Sequence, residues 1–133
     1  MTRPVAVLLS VAALVACSSD SGSTKELCQA LNDGPGFSSV FQGFDPTTAT
    51  AALEQLRTAR VVLGDLKDAA PGEVRDDLQV EIYYVQALIV ALEPLERDAD
   101  ATEVALTIQS VADTHPDVAA AARTLQTFAT ERC

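Results

Sequence analysis

The fold is decided by one stretch of the chain, residues 80–92, which reads VEIYYVQALIVAL. This length favours a helix, and apolar side chains occupy more than one of its faces, as in the most buried helix of a bundle. The inward stripe begins upstream and comprises Val74, Leu78, Ile82, Val85, Ile89 and Leu92. We expect the helix to begin at Pro71 and to end or kink at Pro94, because proline fits only the first turn.

A second long helix is predicted upstream of the first. Asp45 and Pro46 indicate its start, with the Asp45 carboxylate as N-cap and Pro46 at the first helical position. Its inward stripe comprises Ala49, Ala52, Leu53, Leu56, Ala59, Leu63, Leu66 and Ala70. Gly64 lies inside this helix and predicts a close crossing with a neighbouring helix.

A short helix is predicted nearer the N-terminus. Ser23 and Glu26 have the spacing of a capping box, with Ser23 as N-cap and Glu26 at the third helical position. Residues 32–36, which read NDGPG, end this helix. The side chains turned inward are those of Leu27, Cys28 and Leu31.

Two more helices are predicted beyond Pro94. The first follows a polar connection at residues 98–102 and turns inward Val104, Ile108, Val111 and Ala112. The second follows a turn at residues 113–116 and turns inward Val118, Ala122, Leu125 and Phe128. No stretch shows the alternation of a half-buried strand. The sequence therefore predicts an all-α fold, a small up-and-down bundle of about four main helices plus the short N-terminal one.

The first residues have the layout of a signal peptide. The amine of Met1 and the guanidinium of Arg3 form a positive end, and residues 5–15, VAVLLSVAALV, form an apolar run. As a helix this run reaches about 16 Å, roughly half of a hydrocarbon core near 30 Å thick. It therefore favours a cleaved signal peptide over a retained span, and without a twin-arginine pair it favours the general secretory route.

The residues that follow resemble the lipobox of bacterial lipoproteins, Leu14-Val15-Ala16-Cys17. The resemblance implies a diacylglyceryl group on the sulfur of Cys17 and cleavage on its N-terminal side. The alternative, ordinary signal-peptidase cleavage, needs a small residue where the bulky Leu14 stands. The chain is thus expected to comprise a signal peptide (1–16), a lipidated tether (17–23) and a helical domain (24–133), held on the outer face of the cell membrane.

Charge excludes one class of function. The chain carries a net charge of −10. Loss of residues 1–16 removes Arg3 and leaves eight basic residues against nineteen acidic ones. So acidic a surface repels phosphates, which excludes nucleic acid as a partner and disfavours anionic lipid headgroups. The core, built from Ala, Leu and Val, argues mildly against a roomy ligand cavity.

Two cysteines remain besides Cys17, namely Cys28 and Cys133. An even pair in an oxidising compartment predicts a disulfide, which would tie the first helix of the domain to its last residue. The alternative, a reactive thiol or a metal ligand, lacks a neighbouring basic residue or a ligand cluster.

No catalytic, metal-binding or cofactor-binding set is predicted. His115 is the only histidine and is interpreted as a turn residue before Pro116, and no Gly-x-Ser-x-Gly motif presents a serine. Asp76 and Asp77 point about 100° apart on a helix, so they do not share one proton readily. The acidic groups considered and set aside are Glu93 with Glu96, Asp98 and Asp100 with Glu103, and Asp113 with Asp117.

The lipobox, the pair Cys28 and Cys133, and the junction AAPGEV at residues 69–74, followed by Asp77, resemble the small helical lipoproteins of high-GC actinobacteria. The resemblance implies location and architecture rather than chemistry. The leading hypothesis is a non-enzymatic interaction or structural module of the cell envelope with an envelope protein as partner. The alternative is a carrier or sensor of a small apolar ligand, with Phe37, Phe41 and Phe44 gating an opening between helices.

Overall fold

A computed structural model of the chain describes residues 22–34, 36–37, 44–97 and 99–133. Within these ranges the chain forms helices and connections without a strand. The helices are α1 (Thr24–Asp33), α2 (Ala49–Ala69), α3 (Gly72–Leu92), α4 (Ala101–Asp113) and α5 (Val118–Arg132), with a 3₁₀ turn at Glu93–Leu95. The predicted all-α fold, a small helical bundle, is confirmed.

Helices α2 and α3 form the hairpin on which the rest of the domain is built. Every residue of the two predicted inward stripes is buried, including Leu53 and Leu56 on α2 and Leu78 and Val85 on α3. Burying one such side chain stabilises the fold by about 1.5–3 kcal/mol. The period of the apolar residues therefore predicted the packing faces of both helices correctly.

Helices α4 and α5 cover successive parts of α3. Tyr84, near the middle of α3, meets His115 in the α4–α5 connection, with ring centroids 5.7 Å apart. Glu73, at the start of α3, pairs with Arg132 at the end of α5, with 3.3 Å between Oε1 and Nη2. Helix α5 therefore runs along the first half of α3, whereas α4 packs on the second half. The third layer of the bundle is thus one helical path broken near Pro116.

Helix α1 closes the end of the bundle at the α2–α3 connection. The backbone N–H of Ser23 donates to the carbonyl of Ala69 over 3.2 Å. The hydroxyl oxygen of Ser23 accepts from the N–H of Glu26 over 3.1 Å, so the predicted N-cap is confirmed. A Cβ on Gly22 would collide with the carbonyl of Ala70, so only glycine allows this close approach.

The predicted start of α2 is wrong by three residues. The N-cap is Thr48, whose side chain accepts from the N–H of Ala51, and the helix begins at Ala49. Asp45 instead accepts hydrogen bonds from the N–H and hydroxyl of Thr47, which lower the pKa of its carboxyl group. A side-chain turn of this kind competes with helix capping, and here it holds Pro46 outside the helix.

Two further expectations from the sequence are wrong. An added Cβ on Gly64 would meet nothing within 4 Å, so this glycine does not mark a close crossing. On α5 the buried alanine is Ala121, while the predicted Ala122 is exposed. Ala121 lies four residues before Leu125 and shares its face, but the alanine run at residues 119–122 carries no signal of which one turns inward.

Mutations distinguish the observed N-cap of α2, Thr48, from the predicted one, Asp45. Replacing Thr48 with Ala is expected to lower the free energy of unfolding by about 1 kcal/mol, since it removes the cap of the helix. Asp45→Ala is expected to cost less than about 0.5 kcal/mol, as for an exposed side chain away from a cap. Urea denaturation of both variants measures this, and a larger loss for Asp45→Ala would contradict the observed start.

Candidate functional site

The predicted cysteine pair is joined in the structure. The sulfurs of Cys28 and Cys133 are 2.02 Å apart and their Cα atoms 5.4 Å apart, across a sequence separation of 105 residues. The bond ties α1 to the end of α5, as expected. The predicted signal peptide at residues 1–16 and the predicted lipid attachment at Cys17 lie outside the described residues.

His115 is engaged in the α4–α5 turn. Its Nδ1 lies 2.8 Å from the carbonyl oxygen of Val111. The hydroxyl oxygen of Thr114 lies 3.0 Å from the same nitrogen. The ring also contacts Tyr84. These contacts agree with the interpretation of His115 as a turn residue.

Three of the acidic side chains weighed for metal binding or catalysis have other partners in the structure. Asp100 caps α4, its Oδ1 accepting from the N–H of Glu103 over 2.8 Å. Asp113 accepts from the amide of Gln109 over 2.8 Å. Glu93 lies 3.7 Å from the guanidinium of Arg57. Across the described ranges, no three His, Cys, Asp or Glu side chains converge as a metal site requires, and Asp98 lies outside those ranges.

The phenylalanines proposed as a gate are only partly described. Phe37 and Phe44 are half-buried and pack against the hydrophobic core. Phe41 lies outside the described residues. A ligand opening formed by all three rings therefore stays a prediction.

Helices α3 and α4 expose apolar side chains that the sequence pattern assigned to the interior or left unassigned. Tyr83 and Val90 on α3 are 60% and 70% exposed, and Leu106 on α4 is 66% exposed. Tyr83 and Val90 are seven residues apart and thus lie on one side of α3. Ala91, next to Val90, lines a groove together with Leu106. We call the surface formed by Tyr83, Val90, Ala91 and Leu106 the α3–α4 face.

The groove in the α3–α4 face has a volume of about 500 Å³ and opens to solvent. Ala91 forms its α3 side. Its other lining residues are Asp100, Thr102, Glu103, Leu106, Thr107, Ser110 and Val111. Three of the eight lining residues are apolar, three carry hydroxyl groups, and two carboxylates lie at one end, where α4 begins.

The sequence around this face carries almost no positive charge. Residues 76–122 contain one basic side chain, Arg97, if His115 is counted as neutral. The acidic residues in the same range are Asp76, Asp77, Glu81, Glu93, Glu96, Asp98, Asp100, Glu103, Asp113 and Asp117. Helix α4 itself has no lysine or arginine. Among the described residues, two carboxylates and no basic side chain line the groove itself, so the potential there favours a cationic neighbour.

A second feature, missed from the sequence, is the buried carboxyl group of Glu81. This residue is 6% exposed, on the half of α3 that α5 covers, and Oε1 has no hydrogen-bond partner among the described residues. Burial first, and then the charge of Asp77, raise the pKa of Glu81 to about 7. Burial and the charge of Glu81 also raise the pKa of Tyr84. The signal was present in the sequence as one carboxylate within an apolar run.

The chemical property that this environment gives Glu81 is the ability to keep its carboxyl group protonated. Burial and the neighbouring charge of Asp76 raise the pKa of Asp77, which lies one turn before Glu81 on α3. Both shifts express the cost of charging carboxyl groups at this place. Because Glu81 is enclosed, the group bears on stability more directly than on reaction with a dissolved substrate.

Comparison with known proteins identified no relative: the chain matches no protein-family model, no curated protein and no solved structure. Gly72–Leu95 is long and apolar enough to cross a membrane by length and composition alone. The core helix of a soluble protein meets the same criterion, and α3 is the core helix of this bundle. Function is accordingly inferred from the residues themselves.

Proposed function

We propose that the protein is a non-enzymatic interaction module of the cell envelope, anchored to the outer face of the cytoplasmic membrane through lipid on Cys17. The observation that carries the interaction role is the exposed apolar α3–α4 face. Isolated apolar residues on a surface are ordinary, but three large exposed apolar side chains on two adjacent helices, one of them in a groove, favour a binding site. No catalytic role is proposed, because Glu81 is enclosed and His115 is occupied by turn contacts.

The proposed anchor would hold the α2–α3 end of the bundle near the bilayer. The Ser23–Ala69 hydrogen bond fixes the entry of the chain at the α2–α3 connection. Between Cys17 and Gly22 the chain spans at most about 18 Å at 3.3–3.6 Å per residue. The α2–α3 end therefore stays near the membrane, and the opposite end of α3 lies about 31 Å away along the helix at 1.5 Å per residue. The groove beside Ala91 lies toward the far end of α3.

Photocrosslinking in cells tests this function. A photoreactive phenylalanine analogue at Leu106 of the full chain, in the membranes of the producing cell, is expected to form an adduct with a distinct protein. The matched control is the same analogue at Val61, which is 61% exposed on α2 and outside the α3–α4 face. No adduct from position 106, or equal adducts from both positions, would contradict the proposed function.

A further inference from the structure

We propose that the α3–α4 face binds an amphipathic helix of a partner protein, one whose apolar stripe is flanked by lysine or arginine. This inference rests on the proposed function and specifies the chemistry of the partner. It is carried by two independent properties of the face, namely its shape and its charge.

The shape suits a helix laid along the groove. On α4 the lining residues Glu103, Leu106, Thr107 and Ser110 recur at three- and four-residue steps, so they form one continuous wall. Ala91 supplies a small side chain on the opposite side, which allows close approach. The groove is shallow and largely open to solvent, so a partner contacts it through a few side chains, the apolar ones against Ala91, Leu106 and Val111. A helix in a groove is recognised through a row of such anchors.

Because of its orientation, α4 turns this wall of side chains toward solvent rather than toward another helix of the domain. Val104 is the one described residue of α4 that is buried, and α3 is the main neighbour of the helix. Leu106 points away from that contact and is largely exposed. Helix α5 departs along the other half of α3, so it does not cover this side.

Charge selects among the possible occupants. Asp100 and Glu103 lie at one end of the groove, and Arg97 is the one basic residue in the range 76–122. A second copy of the chain would bring the same acidic surface against itself, and anionic headgroups would also be repelled. A cationic amphipathic helix offers both the apolar stripe and the opposite charge.

Two designed peptides test the proposal on the full chain in detergent. The first has leucine at every third or fourth position and lysine between, and the second has glutamate for each lysine. The lysine peptide is expected to bind at least tenfold more tightly, with an affinity that falls as salt is raised, because salt screens exposed charges. Fluorescence anisotropy of labelled peptides measures both affinities.

Variants separate binding at the face from general attraction to an acidic protein. Leu106→Ser is expected to weaken the lysine peptide about tenfold. The double variant Asp100→Asn, Glu103→Gln is expected to weaken it about threefold while keeping a residue that caps α4. The matched controls are Val61→Ser and the double variant Asp65→Asn, Asp68→Asn on α2, which are expected to change the affinity less than twofold.

Several results would overturn the proposal. These are binding of neither peptide, equal binding of both, and equal losses in the face variants and the controls. A dimer or vesicle adsorption that Leu106→Ser abolishes would also overturn it. If the peptides fail while position 106 still crosslinks to a distinct protein, the partner chemistry is wrong and the proposed function stands. If neither peptide binding nor the crosslink at position 106 is observed, both proposals are wrong.

Discussion

Removing the Cys28–Cys133 disulfide is expected to lower the free energy of unfolding by about 4–5 kcal/mol, as the chain-entropy model gives for a loop near 100 residues. The bond closes a loop across 105 residues of sequence separation. The open chain gains freedom mainly in the unfolded state. In the folded state, α1 and the end of α5 lose their covalent tie. The double variant Cys28→Ser, Cys133→Ser tests this without leaving an unpaired thiol from the bridge.

The measurement is urea denaturation of the double variant beside Cys17→Ser. Cys17→Ser is expected to keep the denaturation midpoint of the wild type and to release the protein from the membrane fraction. The double variant is expected to do the reverse. A loss of stability in Cys17→Ser comparable to that of the double variant would show that the roles assigned to the three cysteines are wrong.

Replacing Glu81 with Gln is expected to remove most of the loss of stability that the wild type suffers between about pH 5 and pH 8. Folding raises the pKa of this carboxyl group from 4.5 to about 7. The folded state therefore holds its proton more tightly than the unfolded state. Its contribution to stability is fully present below pH 4.5 and is lost as the pH rises through 7. At 1.36 kcal/mol per pKa unit, the loss approaches about 3 kcal/mol.

The physical cause of this loss is the enclosure of the carboxylate. Oε1 of Glu81 has no hydrogen-bond donor among the described residues, so at that oxygen the charged form loses hydration without compensation. The group is 6% exposed, and solvent therefore screens it little. The side-chain amide that Glu81→Gln introduces has nearly the same shape as the carboxyl group and does not titrate.

The free energy of unfolding should be measured by urea denaturation at several pH values, for the wild type and Glu81→Gln. Glu54→Gln, on the exposed side of α2, is the control and is expected to follow the wild type. Asp77 also has a raised pKa and contributes in the same direction, so Glu81→Gln retains a small slope. Equal slopes for the wild type and Glu81→Gln would show that Glu81 is not the group responsible.

The spacing of apolar residues along the sequence was sufficient by itself to predict the helices and most of the core. Every third or fourth residue from Ala49 to Ala70 and from Val74 to Leu92 is buried as predicted. This works because a helical face depends on local geometry, and burial of a regular stripe outweighs small differences in propensity. The pairing of Cys28 with Cys133 was predicted once Cys17 had been assigned to lipid attachment, because only these two cysteines then remained.

Two features limited the prediction from sequence. One is competition between local hydrogen bonds, and the other is a run of identical residues that shows no preferred helical face. Thr48, rather than Asp45, caps α2 because Asp45 bonds to Thr47 instead. Ala121, rather than Ala122, is buried. The sequence did not indicate this, because a run of four alanines shows no preferred helical face. In both cases the helix was predicted correctly, and the error lies within one turn.

Only the tertiary structure decided which sides of α3 are covered. The run at residues 80–92 is apolar nearly all round, so its pattern predicted burial without assigning a neighbour to each side. The break near Pro116 sends α4 and α5 along different halves of α3. Within α3, Glu81 is buried, whereas Tyr83 and Val90 stay exposed. Sequence periodicity determines the faces of a helix, but the paths of the other helices determine which of those faces meets water.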